Sequence, residues 1–271
     1  MALSFHKVTA TQVPQTSIHY RFCDLFLSAP HLLIGGTTGS GKSVLIDNLV
    51  YHMITQNDPS KVEFVWIDPK KVSLRKYKNL PHTLRYVDEI PDILKALDDV
   101  IATMMDTYAY MQERNLEKYN GTQIVVIIDE LADLMVTCKK EVMPKLQRIA
   151  QLGRASGIKL ICATQSPSRK VIPAELVLNF DGRVALHCVS PIESRQILNR
   201  KGAELLPSHG KALTFVNGKF YEVNIPMLPR EEIMRVVHFW EAQNKVEEAP
   251  TACRTKKPHV SWFNKLFKKE A

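Results

Sequence analysis

No window of this 271-residue sequence approaches the roughly 18 consecutive apolar residues that a membrane-spanning helix needs. The opening stretch, MALSFHKVTATQVPQTS, lacks the apolar centre of a secretory signal. There is no CxxC, and five cysteines (Cys23, Cys138, Cys162, Cys188, Cys253) cannot all pair within one chain. Cys162 and Cys188 sit in apolar runs, where cysteine acts as a small hydrophobe. These absences point to reduced thiols and a cytoplasmic location. Internal repeats and low-complexity tracts are also missing. With 45% hydrophobic and 24% charged residues, the composition excludes a wholly disordered chain, a collagen-like repeat and a multi-span membrane protein. What the chain does carry in excess is positive charge: 36 Lys and Arg against 28 Asp and Glu, a net +8. Such a balance suits a polyanionic partner, either nucleic acid or an anionic membrane surface.

Short apolar runs alternate with helical stretches, which predicts an α/β domain with a mostly parallel central sheet flanked by helices. The strand candidates are His31–Gly35, Val62–Ile67, Gln123–Ile128, Ile158–Ala163 and Arg183–Val189. Most are near-continuous Val, Ile and Leu, as expected of strands covered on both faces. Lys211–Val216 and Lys219–Asn224 flank Asn217-Gly218, a type I′ turn signal, and form a predicted C-terminal hairpin. Apolar residues recurring at three and four, from Ile93 to Tyr108, predict a long helix over Pro91–Leu116. After Pro250 the chain turns basic. Trp262, Phe263, Leu266 and Phe267 would share one helical face among Lys256, Lys257, Lys265, Lys268 and Lys269. That tail could dock on a membrane surface or in a partner groove, or remain a solvated basic end.

Three strand ends carry chemistry. Gly36-Thr37-Thr38-Gly39-Ser40-Gly41-Lys42-Ser43 is a complete GxxxxGK[ST] phosphate loop, preceded by HLLIG and followed by a helical run over Val44–Tyr51. Glycines let the backbone curl so that amide N–H groups face phosphates, and the helix start adds its dipole. Lys42 supplies a point charge to the β- and γ-phosphates, and Ser43 a hydroxyl to Mg²⁺. The run Ile124-Val125-Val126-Ile127-Ile128 ends in Asp129-Glu130. Two acids closing a buried strand are costly unless they emerge to act. In such ATPases the first, Asp129, holds the metal shell, and Glu130 polarises the attacking water. The competing account is that these acids cap the next helix. Ile161-Cys162-Ala163-Thr164 leads to Gln165, which would sit at the carboxyl end of the sheet, sensing the γ-phosphate, positioning water or merely turning the chain.

The order and spacing of several segments then resemble one family, the FtsK/SpoIIIE DNA translocases of the FtsK–HerA group of RecA-like motors. They are PHLLIGGTTGSGKS at 30–43, IDPKKVSL at 67–74, LPH at 80–82, IVVIIDELADLM at 124–135, LGRASGIKLICATQSPS at 152–168, RVALHCVSPIESRQIL at 183–198 and GAELL at 202–206. The resemblance implies a RecA-like P-loop NTPase that uses ATP and Mg²⁺. It assigns Lys42 and Ser43 to Walker A, Asp129 and Glu130 to Walker B, and Gln165 to the sensor position. It further implies a homo-oligomeric ring, usually hexameric, that pulls double-stranded DNA through its pore. By the same likeness the chain divides into an N-terminal segment (1–29), a motor domain (30–247) and a basic tail (248–271), with no membrane or winged-helix domain of its own. Where the family reads TQRPSVD, this chain reads Thr164-Gln165-Ser166-Pro167-Ser168-Arg169-Lys170, exchanging an acid for two bases.

Ring motors complete the ATP site with an arginine from the next protomer, and Arg154 in LGRASG matches a family arginine with that part; Arg183 and Arg195 are the runners-up. Arg154 could alternatively cap a helix C-terminus. Candidate DNA contacts are Arg169 and Lys170, and more weakly Lys139 and Lys140. Alternatives to a translocase are a packaging or conjugative-transfer ATPase, a DNA-binding module that does not translocate, and, more remotely, a small-molecule P-loop kinase.

Overall fold

In the computed structural model, residues 21–169 and 171–247 are described, the side chains of 244–247 excepted. Lys170, the tail from 248 and the segment before Arg21 lie outside them. Among the described residues no helix is long and apolar enough to cross a membrane.

Among the described residues eight strands form one sheet in the order β3-β2-β4-β5-β1-β6-β7-β8. These are β1 His31–Gly35, β2 Val62–Ile67, β3 Thr83–Val87, β4 Gln123–Ile128, β5 Ile158–Thr164, β6 Gly182–Ala185, β7 Lys211–Val216 and β8 Lys219–Asn224. The first six pair in parallel, and β7 and β8 close the sheet antiparallel through the hairpin turn at Asn217-Gly218. Both turn residues have positive φ (51° and 77°), which is why Asn-Gly stands there.

The helices are α1 Arg21–Ser28, α2 Lys42–Gln56, α3 Ile90–Glu113, α4 Leu131–Thr137, α5 Lys139–Leu152, α6 Ala174–Val177, α7 Pro191–Leu198 and α8 Arg230–Glu247. Strand alternation splits the core in two. Leu32, Ile34, Phe64, Trp66, Val125 and Ile127 join α1, α2 and α8 on one face. Leu33, Val65, Ile67, Ile124, Val126 and Ile128 join α3, α4, α5 and α6 on the other. Both pleats are therefore apolar, which explains the unbroken Val/Ile/Leu runs. Phe22, Cys23 and Phe26 of α1 share a core cluster with Leu32, so the packed unit reaches back at least to Arg21.

Two expectations need correction. The strand expected over Arg183–Val189 ends at Ala185. Beyond it Leu186 N–H donates to Gly35 O (2.9 Å), and His187 O accepts from Thr37 N–H (2.9 Å), so this backbone wraps the phosphate loop. After Glu130 the chain forms two successive helices, α4 and α5, separated at Cys138 (φ −141°, ψ 41°). The long helix stops at Glu113, before Leu116. There Leu116 N–H donates to Met111 O and Asn115 N–H to Gln112 O, with Asn115 left-handed (φ 51°), a Schellman closure. The cysteines Cys23, Cys138, Cys162 and Cys188 are free and buried; Cys253 lies outside the described residues.

Candidate nucleotide site

The phosphate loop leaves β1 between β5 and β6, at the carboxyl end of the parallel sheet, where open α/β folds bind ligands. Gly36 has φ +157°, and a Cβ there would meet Ser40 Oγ at 2.7 Å and Leu186 Cβ at 2.8 Å. Gly41 takes φ +101° as the N-cap of α2 and contributes no side-chain cap, so the first N–H groups of the helix stay open to an anion. Within the loop, Ser40 Oγ donates to Thr37 O (2.7 Å). Lys42 Nζ donates to Gly36 O (2.7 Å) and Thr37 O (2.6 Å). Burial pushes the Lys42 ammonium down to about 8, against the opposing pull of Glu130 and Asp129. It is thus a desolvated cation facing its own loop, a strong partner for phosphate. Ser43, on the first turn of α2, is exposed.

Asp129 and Glu130 close β4, and both are buried. Glu130 is the N-cap residue of α4, yet its side chain makes no capping hydrogen bond, contrary to the helix-cap account. Its Oε1 accepts from the Gln165 backbone N–H (3.0 Å), and its Oε2 accepts from Lys70 Nζ (3.1 Å). Thr38 Oγ1 in turn donates to Gln165 Oε1 (2.6 Å). One chain of contacts therefore runs from the phosphate loop through Gln165 and Glu130 to Lys70. The Asp129 carboxyl is raised by burial, lowered by the Ser73 hydroxyl, and raised again by Asp68 and Glu130.

Asp68 is fully buried just beyond β2; its Oδ2 accepts from Leu74 N–H (3.0 Å) and Tyr86 OH (3.2 Å), and its Oδ1 has no hydrogen-bond partner among the described residues. Asp68 and Lys70 were not singled out as site residues in the sequence. The signal for them was IDPKK directly after an apolar strand, which becomes meaningful once β2 lies beside β4. Among the described residues no three His, Cys, Asp or Glu side chains are arranged to hold a metal. The oxygen donors at hand are the Ser43 hydroxyl and the Asp129 carboxylate. Hard oxygen donors few in number suit Mg²⁺, which is usually held by one or two protein ligands and the substrate's phosphates.

Arg154 lies at the other end of the sheet, just before β5, about 20 Å from its own phosphate loop at ~3.3 Å per strand residue. It is exposed, and no hydrogen bond or ion pair engages its side chain among the described residues. The carbonyls closing α5 have other partners: Ile149 O takes Gly153 N–H (2.7 Å), and Leu152 O takes Tyr108 OH (2.8 Å). Arg183 instead stacks on Phe215 (4.5 Å) within its own sheet. Arg195 is exposed on α7, whose Ile197 packs against Gly35 at the phosphate-loop end. Arg169 is exposed beyond β5 at that same end. Lys140 is exposed and Lys139 half-buried at the start of α5.

The FtsK/SpoIIIE family model matches residues 6–122 and 118–169. The chain belongs to the FtsK/SpoIIIE family. It is 38% identical to the DNA translocase FtsK of Helicobacter pylori over 234 residues, covering 80% of this chain and 28% of that one. With the DNA translocase FtsK of Halalkalibacterium halodurans the identity is 37% over 254 residues, 86% of this chain and 32% of the relative. This family member thus spans about a third or less of the length of those relatives. Among solved structures, the pCW3 conjugation coupling protein TcpA aligns with TM-score 0.69 at 20% identity, over 78% of this chain and 64% of TcpA. EssC from Geobacillus thermodenitrificans aligns with TM-score 0.69 at 18% identity, over 87% and 48%. At those identities the likeness is one of fold.

Proposed function

We propose that this chain is the motor of an ATP-dependent double-stranded DNA translocase, working as a homo-oligomeric ring, most simply a hexamer. The observation that carries the reading is the continuous contact from Thr38 through Gln165 to Glu130, which ties a phosphate loop to a buried carboxylate at one sheet edge. Family membership and identity to DNA translocases support the same reading.

In this mechanism Lys42 exchanges its loop carbonyls for the β- and γ-phosphates, and the open N–H groups of α2 bind the same charge. Ser43 and Asp129 would hold Mg²⁺, which would offset phosphate charge and the crowding of Asp129 by Asp68 and Glu130. Glu130 accepts the proton of the attacking water. Gln165 couples the γ-phosphate position to that base, since its amide touches Thr38 and its backbone touches Glu130. Arg154, remote from its own loop, stabilises γ-phosphoryl charge in the neighbouring protomer. Arg169 and Lys170 track the DNA backbone without reading bases, so affinity falls with salt similarly across sequences.

The test is DNA-stimulated ATP turnover with displacement of a triplex roadblock, alongside electron microscopy of the same sample. Turnover with displacement and rings supports the motor. Stimulated turnover without displacement would favour a DNA-binding module instead.

A further inference from the structure

We propose that Lys70 is a positioning residue that restrains Glu130 through an ion pair it shares with Asp133, and so holds DNA-free turnover low. The inference rests on the reading of Glu130 as the base that activates water.

Lys70 follows β2 in a turn that leaves little freedom to its backbone. Lys71 N–H donates to Asp68 O (2.9 Å), and Lys71 itself sits in the left-handed region (φ 61°), unusual for a residue with a side chain. Lys71 is further tied to Glu89 by an ion pair. The turn therefore presents Lys70 toward β4, the strand adjacent to β2 in the sheet.

Its side chain, by contrast, has room to move, with 39% of it exposed. The ammonium lies 3.1 Å from Glu130 Oε2 and 3.8 Å from Asp133 Oδ2. The two acceptors differ in kind: the Glu130 side chain is 2% exposed, and that of Asp133 is 44% exposed. Burial opposes the Lys70 charge. The Glu130 hydrogen bond, with the charges of Glu130, Asp133 and Asp129, outweighs it and raises the ammonium's pKa. Lys70 is therefore a persistent cation.

With Gln165 N–H on Oε1 and Lys70 on Oε2, each Glu130 oxygen already carries a donor. An ammonium on a carboxylate occupies a lone pair and opposes uptake of a proton from water. Asp133 Oδ2, 3.8 Å from the same ammonium, is the more water-facing acceptor and can keep the charge paired when the Glu130 contact opens. The shared ion pair thus stands beside the reacting group, and its bias toward Glu130 or Asp133 sets how much of the protein has a competent base.

Lys70→Met and Lys70→Gln are compared with the unsubstituted chain for kcat and KM of ATP hydrolysis, with and without double-stranded DNA. The expected result is DNA-free kcat raised at least about threefold with KM nearly constant, and a smaller stimulation by DNA. Lys70→Arg, which keeps the cation, should return the DNA-free rate toward the original. Binding of an ATP analogue by each variant reports that the site is folded. Glu130→Gln separates the two claims. Near-normal turnover in that variant would overturn both the base and its restraint. An inactive Glu130→Gln together with DNA-free kcat unchanged or lowered in Lys70→Met and Lys70→Gln would overturn the restraint alone.

Discussion

Lys42 and Glu130 lie at one sheet edge but keep different hydrogen-bond partners. Lys42 is a desolvated cation whose only hydrogen-bond partners among the described residues are carbonyls of its own loop, Gly36 O and Thr37 O, so phosphate is its better partner. Among the described residues Glu130 makes no hydrogen bond to that loop; its hydrogen bonds reach it through Gln165 and Thr38, while its charge acts on Lys42. Lys42→Ala should therefore weaken nucleotide binding by at least roughly tenfold. Glu130→Gln should bind nucleotide nearly as before yet lose about 10²–10⁴ in kcat, the usual worth of a general base. Equilibrium binding of a fluorescent ATP analogue and steady-state hydrolysis at saturating ATP check the pair. Near-normal turnover by Glu130→Gln would remove it as the base.

At the level of single elements, α7 depends on a reciprocal cap. Ser190 Oγ accepts from Glu193 N–H (3.3 Å), and Glu193 Oε2 accepts from Val189 N–H (3.0 Å). The first bond satisfies an N–H that the helix start would otherwise leave open, and the second ties down the residue before the cap, in a variant of the capping box. The helix also places Ile197 against Gly35, so its stability bears on the end of β1. Ser190→Ala should cost about 1 kcal/mol, read as a lowered urea midpoint with unchanged slope. Glu193→Ala combined with it should cost less than the sum, because the two bonds form together. Additive losses would mean that the two bonds act independently.

Across the whole molecule, two buried histidines link stability to pH. Burial pushes both His31 and His82 down to about 4. His31 Nδ1 accepts from Leu160 N–H (3.1 Å), which fixes its neutral form between β1 and β5. In the unfolded chain a histidine titrates near 6.5. Between those values the unfolded state binds protons that the native state refuses. The contribution is complete above about pH 6.5 and is lost as pH falls toward 4, up to about 3 kcal/mol per histidine. His31→Asn should flatten the fall of the urea midpoint between pH 6.5 and 4. An identical slope in the variant would exclude His31 as a contributor.

Also at this scale, Arg154 makes a claim that only an assembly can satisfy. Arg154→Ala and Glu130→Gln should each be inactive alone. Mixed under conditions that exchange subunits, they should regain part of the ATPase, because some sites then pair an intact Glu130 with an intact Arg154. Verified mixed rings without recovery, or a fully active Arg154→Ala protein, would exclude the trans role.

What the sequence determined by itself is local in origin. The phosphate loop is legible because Gly36, Gly39 and Gly41 take positive φ and must be glycine or nearly so. Strands β1, β2, β4 and β5 are legible because strands covered on both faces need unbroken apolar runs, and the hairpin because Asn-Gly suits its turn. Only tertiary structure decided the rest. The edge strand β3, Thr-Leu-Arg-Tyr-Val, is half-exposed and has no such run. Strand β6 ends early because Leu186 and His187 give their backbone groups to the phosphate loop rather than to a neighbouring strand. The Lys70–Glu130 and Thr38–Gln165 contacts join residues 60 and 127 positions apart. They exist because the order β2-β4-β5-β1 brings four strand ends to one edge, a placement set by how the whole sheet packs between its two layers of helices.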